Sequence, residues 1–189
     1  KIYKIIFSGP ANAGKTSIIR KLVQNKFDFD YKTTIGVDFS NYKIIIDETQ
    51  YILNLWDLNG QDSFIKLSRN YYKNAYGCFL VCDGSNRERL NNLKKWYVHL
   101  KDLDLLSMLQ ITILINKCDL LLKKDEEEVL NQIQDEFPLC AVFLCSAATG
   151  QNILTAIKQM VLNFKPHEQC NDQIIIQKEE QQQLGKNCC

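Results

Sequence analysis

The sequence predicts one α/β domain with a six-stranded sheet, mostly parallel with one antiparallel strand, and helices on both faces. Apolar strands and helical segments alternate along the chain, which is typical of parallel strands joined by right-handed crossovers. A glycine-rich loop joins the first strand to the first helix, where the helix N-terminus favours an anion. Residues 166–189 are rich in Gln, Asn, Glu and Lys. We therefore expect a folded domain at 1–165 and a flexible tail at 166–189.

Local patterns predict each element in turn. Apolar runs predict strands at Lys1–Phe7, Phe39–Ile46, Tyr51–Trp56, Tyr76–Cys82, Gln110–Ile115 and Leu139–Leu144. Helical spacing predicts helices at Thr16–Asn25, Asn86–Leu103, Asp125–Phe137 and Gln151–Phe164. The apolar face of the second helix is expected to hold Leu90, Leu93, Tyr97 and Leu100. The second and third strands flank Asp47-Glu48-Thr49 and form a hairpin, and Pro138 ends the third helix.

The loop after the first strand carries the most specific motif. Gly9-Pro10-Ala11-Asn12-Ala13-Gly14-Lys15-Thr16, called the phosphate loop below, fits the pattern G-x-x-x-x-G-K-[ST]. Its glycines let backbone N–H groups wrap a polyphosphate, Lys15 reaches the outer phosphates, and the Thr16 hydroxyl can ligate Mg²⁺. Asn12 replaces a Gly in the phosphate loop, but Asn is the non-Gly residue that best tolerates a positive φ. We therefore expect nucleotide binding to survive.

A second motif indicates which base is bound. Asn116-Lys117-Cys118-Asp119 follows a continuous apolar strand and resembles the guanine-reading motif of GTPases. The Asp119 carboxylate can accept two hydrogen bonds from the ring N–H and the exocyclic amine of guanine. Adenine offers no such donor pair and would leave that carboxylate unpaired. The Lys117 stem can lie over the base plane.

Together with Trp56–Gln61 and Thr33–Phe39, these motifs resemble the small GTPases of the Ras superfamily, from Lys1 to about Lys165. The resemblance implies a G domain of the P-loop NTPase class that binds GTP or GDP with Mg²⁺. It implies an Mg²⁺ site at Thr16, Thr34 and Asp57, with Asp57 holding the ion through water, and catalysis by Lys15 and Gln61, with Gln61 orienting the attacking water. The nucleotide-binding residues that it implies are Gly9, Asn12, Ala13, Gly14, Lys15, Thr16, Ser17, Phe27, Thr34, Gly60, Asn116, Lys117, Asp119, Ser146 and Ala147.

Particular contacts are implied at several of these positions. Phe27 stands where family members place an aromatic ring against guanine, and Gly60 where a backbone N–H meets the γ-phosphate. Ser146-Ala147 matches the place where a backbone N–H meets the guanine carbonyl, although Ala148 stands where Lys is usual. These assignments rest on the resemblance alone.

The sequence combines features of two branches of the superfamily. Ile35–Phe39, Asn70–Ala75 and the final Cys188-Cys189 resemble Rab proteins. Asn12–Thr16, Gly60-Gln61-Asp62 and Asn86–Leu90 resemble Arf proteins. Arf proteins carry an N-terminal amphipathic helix with a myristoylated glycine, whereas here a strand is predicted from Lys1 onward. The sequence therefore favours a divergent Rab, with an Arf-like GTPase as the alternative.

The expected function is a switch that cycles between GTP and GDP, recruits effectors in the GTP state and regulates vesicle traffic. No Arg occurs between Gln24 and Gly36, so this segment supplies no arginine finger, and we expect slow intrinsic hydrolysis that needs an activating partner. A GTP-binding scaffold with little hydrolysis is the other alternative, because Asn59 replaces a small residue beside the γ-phosphate position. A guanylate-consuming metabolic enzyme is disfavoured, since the chain has no room for a second substrate domain.

The resemblance also implies partners and a location. An exchange factor, a GTPase-activating protein, a GDP-dissociation inhibitor and a prenylation escort are expected beside the effectors. Geranylgeranyl groups on Cys188 and Cys189 would anchor the protein to the cytoplasmic face of an endomembrane, with a cytosolic pool. The tail is not polybasic, so the anchor would rest on lipid alone.

Charge and cysteine usage exclude other classes. Lys and Arg total 23 against 22 Asp and Glu, so no bulk charge favours nucleic acid. The sequence has no C-x₂-C pair, so a zinc site is not expected. Five cysteines lie in or beside apolar strands, where we expect them to act as small hydrophobic side chains. These are Cys78, Cys82, Cys118, Cys140 and Cys145. His99 is expected on a helix surface.

Overall fold

The computed structural model describes residues 1–28, 34, 36–60 and 69–164. Its strands are β1 (Ile2–Ser8), β2 (Val37–Ile46), β3 (Thr49–Leu58), β4 (Gly77–Asp83), β5 (Gln110–Asn116) and β6 (Ala141–Leu144). Its helices are α1 (Lys15–Gln24), α2 (Arg69–Tyr72), α3 (Arg89–Asp102), α4 (Lys123–Glu136) and α5 (Ile153–Leu162). A 3₁₀ turn at Cys118–Leu120 follows β5.

The six strands form one sheet in the order β2-β3-β1-β4-β5-β6. All neighbouring strands are parallel except the antiparallel pair β2 and β3. The predicted α/β class, the strand number and the single antiparallel strand are thereby confirmed. Because parallel strands end at the same edge, the loops after β1, β3, β4, β5 and β6 meet there.

Two apolar layers hold helices on both faces of the sheet. On one face α1 and α5 cover side chains such as Phe7, Leu55 and Val81. On the other face α2, α3 and α4 cover Ile6, Leu80 and Ile113. The alternation of neighbouring side chains between the two faces follows from the two-residue period of a strand.

Several predicted boundaries are wrong by a few residues. The helix α3 begins at Arg89 rather than Asn86, because the Asn86 side-chain oxygen accepts a bond from the Glu88 N–H at 2.8 Å and makes a turn. The strand β6 begins at Ala141 rather than Leu139, since the Cys140 N–H donates to the Phe137 carbonyl in a turn. The short helix α2 and the 3₁₀ turn were not predicted.

The buried face of α3 is wider than predicted. Leu93 and Leu100 are fully buried and Leu90 and Tyr97 partly so, but Trp96 is also buried at 3% exposure. His99 lies on the same helix and is half-buried, and burial lowers its pKa.

The five cysteines within the described domain are buried free thiols. Burial raises the pKa of Cys82 to about 12 and that of Cys140 to about 11, so both stay protonated at neutral pH. They act as small hydrophobic side chains, as the sequence predicted. Among the described helices, none is both long enough and apolar enough to cross a bilayer.

Candidate nucleotide-binding site

A cavity of about 790 Å³ opens at the edge of the sheet where the parallel strands end. That volume is typical of a small-molecule site. Predicted site residues from every motif line it: Asn12, Gly14, Lys15, Thr16, Ser17, Phe27, Thr34, Gly60, Asn116, Lys117, Asp119 and Ala147. Asp57, Gly9, Ala13 and Ser146 are buried and are not part of this lining. Gln61, Cys188 and Cys189 lie outside the described residues.

The phosphate loop takes a backbone shape that few side chains allow. Gly9 has φ 136°, and an added Cβ would lie 2.2 Å from the Val81 carbonyl oxygen of β4. Gly14 has φ 89°, and its Cβ would lie 2.2 Å from the Asn116 amide nitrogen. Asn12 has φ 63°, which is the positive value expected of the residue that replaces glycine there. The loop is therefore pressed against β4 and β5 at both of its glycines.

The Lys15 side chain is buried at the mouth of this loop. Its ammonium donates to the carbonyls of Gly9 and Pro10, at 2.8 Å each. Burial lowers the pKa of Lys15 to about 8, while the negative charge of Asp57 opposes that shift. The first turn of α1 thus places a buried cation in the cavity wall, where its attraction for an anion is screened less than at the protein surface.

Three oxygen-bearing side chains from separate segments meet beside Lys15. The Thr16 hydroxyl donates to Asp57 Oδ2 at 2.5 Å and lies 2.9 Å from the Thr34 hydroxyl. Thr34 lies 3.3 Å from the same carboxylate oxygen. Register places Asp57 beside Phe7, so the strand pairing of β3 with β1 fixes the carboxylate under the phosphate loop.

The donor set at this point fits Mg²⁺. The second carboxylate oxygen of Asp57, Oδ1, is buried and has no hydrogen-bond partner among the described residues. Burial raises the pKa of Asp57, and its bond from Thr16 opposes that shift. A hard divalent cation prefers oxygen ligands of this kind and would compensate the buried negative charge.

The residues after β3 close the same end of the cavity. An added Cβ at Gly60 would lie 2.5 Å from the Ala11 nitrogen and 2.6 Å from the Lys15 ammonium nitrogen. Gly60 is therefore in direct contact with the phosphate loop. The Asn59 side chain is buried and lines the cavity, and its backbone N–H donates to the Gly36 carbonyl at 3.0 Å.

At the opposite end of the cavity Asn116 joins the phosphate loop to the loop after β6. Its amide nitrogen donates to the Ala13 carbonyl at 2.9 Å, and its amide oxygen accepts from the Ala147 N–H at 3.0 Å. The side chain is almost fully buried. One residue thus fixes the phosphate loop and the loop after β6 relative to each other, which sequence reasoning did not anticipate.

Lys117, Asp119 and Ser146 complete this end of the site. Lys117 has φ 63° and its ammonium lies 2.6 Å from Asp83. Asp119 lies on the 3₁₀ turn and faces the cavity. The Ser146 hydroxyl accepts from the Thr149 N–H at 3.1 Å and its N–H donates to the Gln151 carbonyl at 3.2 Å, so Ser146 supports the loop.

The structure adds residues that the motifs did not include. Asp83, Arg20 and Lys26 line the cavity, and Arg20 pairs with Asp28 at 3.3 Å. Asp83 carried one available signal, since it is a carboxylate at the end of a buried strand on the edge where the other loops meet. The sequence offers no such signal for Arg20 and Lys26, because nothing in it distinguishes them from other surface cations in or just after a helix.

Comparison with known proteins agrees with this geometry. The sequence profile of the Ras family matches residues 4–165. Mouse Ras-related protein Rab-32 is 34% identical over 179 residues, which cover 89% of this chain and 78% of that protein. Ras-related protein Rab-32A of Dictyostelium discoideum is 37% identical over 124 residues, 63% of this chain and 57% of that protein.

A longer relative matches the whole chain. The Ras and EF-hand domain-containing protein of Danio rerio is 27% identical over 196 residues, which cover 100% of this chain and 29% of that protein. A mouse homologue of the same description is 28% identical, and the match covers 28% of its length. The chain therefore spans less than a third of these two relatives.

Proposed function

The chain belongs to the Ras family, and from that premise we propose that this small GTPase is a Rab-type switch of membrane traffic. One observation carries the proposal. Thr34, Thr16 and Asp57 come from three separate motifs and meet within hydrogen-bond distance at one end of the cavity. A γ-phosphate bound there would contact all three segments, so its loss would remove a contact from each of them. The similarity to Rab-32 proteins supports the assignment to the Rab type.

We assign the chemical roles as follows. Lys15 neutralises charge on the outer phosphates, and the Gly60 N–H faces the γ-phosphate. Thr16, Thr34 and Asp57 would hold Mg²⁺, which supplies further charge neutralisation when bound. Gln61 orients the attacking water. Hydrolysis is slow without an activating partner, because the segment between Gln24 and Gly36 has no Arg.

At the opposite end Asp119 selects guanine by accepting two hydrogen bonds from it. Phe27 and the Lys117 stem enclose the base plane, and backbone N–H groups of the loop after β6 approach the guanine carbonyl. Support comes from the cavity itself, which Phe27, Lys117 and Asp119 line together.

Nucleotide binding and single-turnover hydrolysis test this proposal. The purified chain is loaded with GTP or ATP in Mg²⁺, and release and phosphate production are followed. We expect tight binding of GTP alone and slow hydrolysis of it. Gln61→Leu should retain binding and lower turnover, because the water-orienting amide is gone. Equal affinity for ATP and GTP would contradict the proposal.

A GTP-binding scaffold is the second candidate, and Asn59 is the observation that favours it. Its side chain is buried in the cavity next to Gly60, where it can crowd the γ-phosphate. A protein that binds GTP tightly, and whose turnover Gln61→Leu does not lower, would be a scaffold rather than an enzyme.

We further propose that the tail at 166–189 carries two geranylgeranyl groups on Cys188 and Cys189. An escort delivers the folded domain for modification, and a GDP-dissociation inhibitor maintains the cytosolic pool. One lipid chain binds a membrane only marginally, whereas two anchor a protein stably. Exchange factor, activating protein and effectors then act at the cytoplasmic face of an endomembrane.

Cell fractionation tests the anchor with three forms of the full chain. Wild type should divide between membrane and cytosol, Cys189→Ser should bind weakly, and the double Cys188→Ser, Cys189→Ser variant should be cytosolic. Equal membrane pools in all three would show that these cysteines are not the anchor. The Arf-like alternative would then be favoured.

A further inference from the structure

Asp83 is a carboxylate in the wall of a cavity that also presents Lys15 to an anion. A negative charge in this place opposes polyphosphate binding unless it is neutralised. The Lys117 ammonium lies 2.6 Å from Asp83 Oδ2 and neutralises it. Both side chains are half-buried, with 31% of Lys117 and 20% of Asp83 exposed, so water screens the pair less than a surface pair.

The carboxylate is itself held in one orientation. Its other oxygen, Oδ1, accepts from the Ser85 N–H at 2.9 Å and from the Ser85 hydroxyl at 2.6 Å. Both carboxylate oxygens of Asp83 therefore have protein partners, and rotation of the carboxylate would break these bonds.

The backbone around the pair is fixed from two sides. Parallel pairing of β4 and β5 sets Asp83 opposite Asn116, and the Gly84 N–H donates to the Asn116 carbonyl at 2.7 Å. From the other side Arg89 donates to the Gly84 carbonyl at 3.4 Å and to Gln132 of α4 at 3.2 Å. The turn after β4 is therefore tied to both neighbouring elements.

We propose that Asp83 is a positioning residue that holds the Lys117 stem along the cavity wall and so lengthens the lifetime of bound guanine nucleotide. The inference rests on the proposed function, because it takes the base to lie against Lys117. Without Asp83 the four-carbon stem of Lys117 is free to rotate toward solvent. The side chain then loses conformational entropy when nucleotide binds, and this loss weakens binding. Ser85 acts one step further out by fixing Asp83.

Release of a fluorescent GDP analogue, measured in Mg²⁺ with excess unlabelled GDP, tests the proposal. Asp83→Ala should release nucleotide about tenfold faster, which corresponds to about 1.4 kcal/mol. Asp83→Asn keeps one acceptor oxygen but loses the charge, and should be about threefold faster. Asp83→Glu should restore part of the loss. Glu136→Ala, which breaks the exposed Lys94–Glu136 pair at 2.9 Å, is the matched control and should release at the wild-type rate.

A double-variant cycle separates positioning from general support of the fold. Lys117→Met keeps an unbranched stem without the charge. If Asp83 acts through Lys117, then Asp83→Ala adds no further acceleration in the Lys117→Met background. Acceleration by Asp83→Ala of the same size in both backgrounds, or an unchanged release rate in the Asp83 variants, would overturn the inference while leaving the proposed function intact. A wild-type protein that binds no guanine nucleotide would overturn both.

Discussion

The two ends of the cavity are built in opposite ways. At the base end Asn116 and Lys117 are bonded to other protein groups, and Asn116 is almost fully buried. At the phosphate end the charged side chains of Lys15 and Asp57 are buried, and one oxygen of Asp57 has no protein partner among the described residues. Asn116 and Lys117 at the base end are thus paired within the protein, whereas the phosphate end keeps a buried oxygen of Asp57 suited to Mg²⁺. Under the proposed function, base recognition and switching would therefore depend on different parts of one site.

The largest effect is expected at Asn116, which joins the two ends. Asn116→Ala removes the bonds to the Ala13 carbonyl and the Ala147 N–H and leaves both groups unpaired. Each buried unpaired group costs about 1–3 kcal/mol, so affinity for GTP and GDP should fall at least ~30-fold and the melting temperature should fall as well. Equilibrium binding and thermal unfolding measure the two effects.

Asn91→Ala is the matched control for that experiment. Asn91 is exposed on α3, where its amide bonds Glu88 at 2.7 Å. Binding and stability of this variant should stay near wild type. If Asn116→Ala affects GTP and leaves GDP unchanged, Asn116 serves only the phosphate end and the comparison fails.

A smaller effect confined to the phosphate end is expected at Asp57. Wild type should release GDP faster when EDTA removes Mg²⁺, because the cation holds the phosphates. Asp57→Asn removes the buried charge that would bind the cation, so release should already be about tenfold faster in Mg²⁺ and should change less than about twofold with EDTA. Asp47→Asn, at an exposed turn with φ 46°, is the control. A full EDTA response in Asp57→Asn would place the cation elsewhere.

The smallest effect is expected at Asn59. Removing its buried side chain should relieve crowding beside Gly60 and raise the single-turnover hydrolysis rate about threefold, or roughly 0.7 kcal/mol of barrier. Rapid quench of GTP-loaded Asn59→Ala against wild type measures this change. A rate that is unchanged or lower would show that Asn59 is accommodated, and the scaffold candidate would lose its main support.

The sequence was sufficient where local chemistry alone decides the structure. Apolar runs located all six strands, and the positive φ of Asn12 followed from the demands of the phosphate loop. Boundaries failed where side chains compete with the backbone, as at Asn86, which makes a turn before α3. Trp96 was missed because its burial depends on the packing of α3 against the sheet.

Contacts between distant segments were beyond the reach of the motifs. Asn116 was predicted as a base contact, but its bonds to Ala13 and Ala147 span 103 and 31 residues. The pair of Asp83 and Lys117 spans 34 residues and depends on the register of β4 and β5. Motif spacing contains no information on such pairs, because only the sheet brings them together.

The central claim, that the base end reads guanine through Asp119, is tested most directly by exchanging the base and the side chain together. Wild type should bind GDP at least ~100-fold more tightly than xanthosine diphosphate, because the xanthine C2 oxygen accepts where the guanine amine donates. Asp119→Asn should invert that preference, while Asp102→Asn, exposed on α3, should leave it unchanged. An Asp119→Asn protein that still prefers GDP by the wild-type ratio would contradict the account.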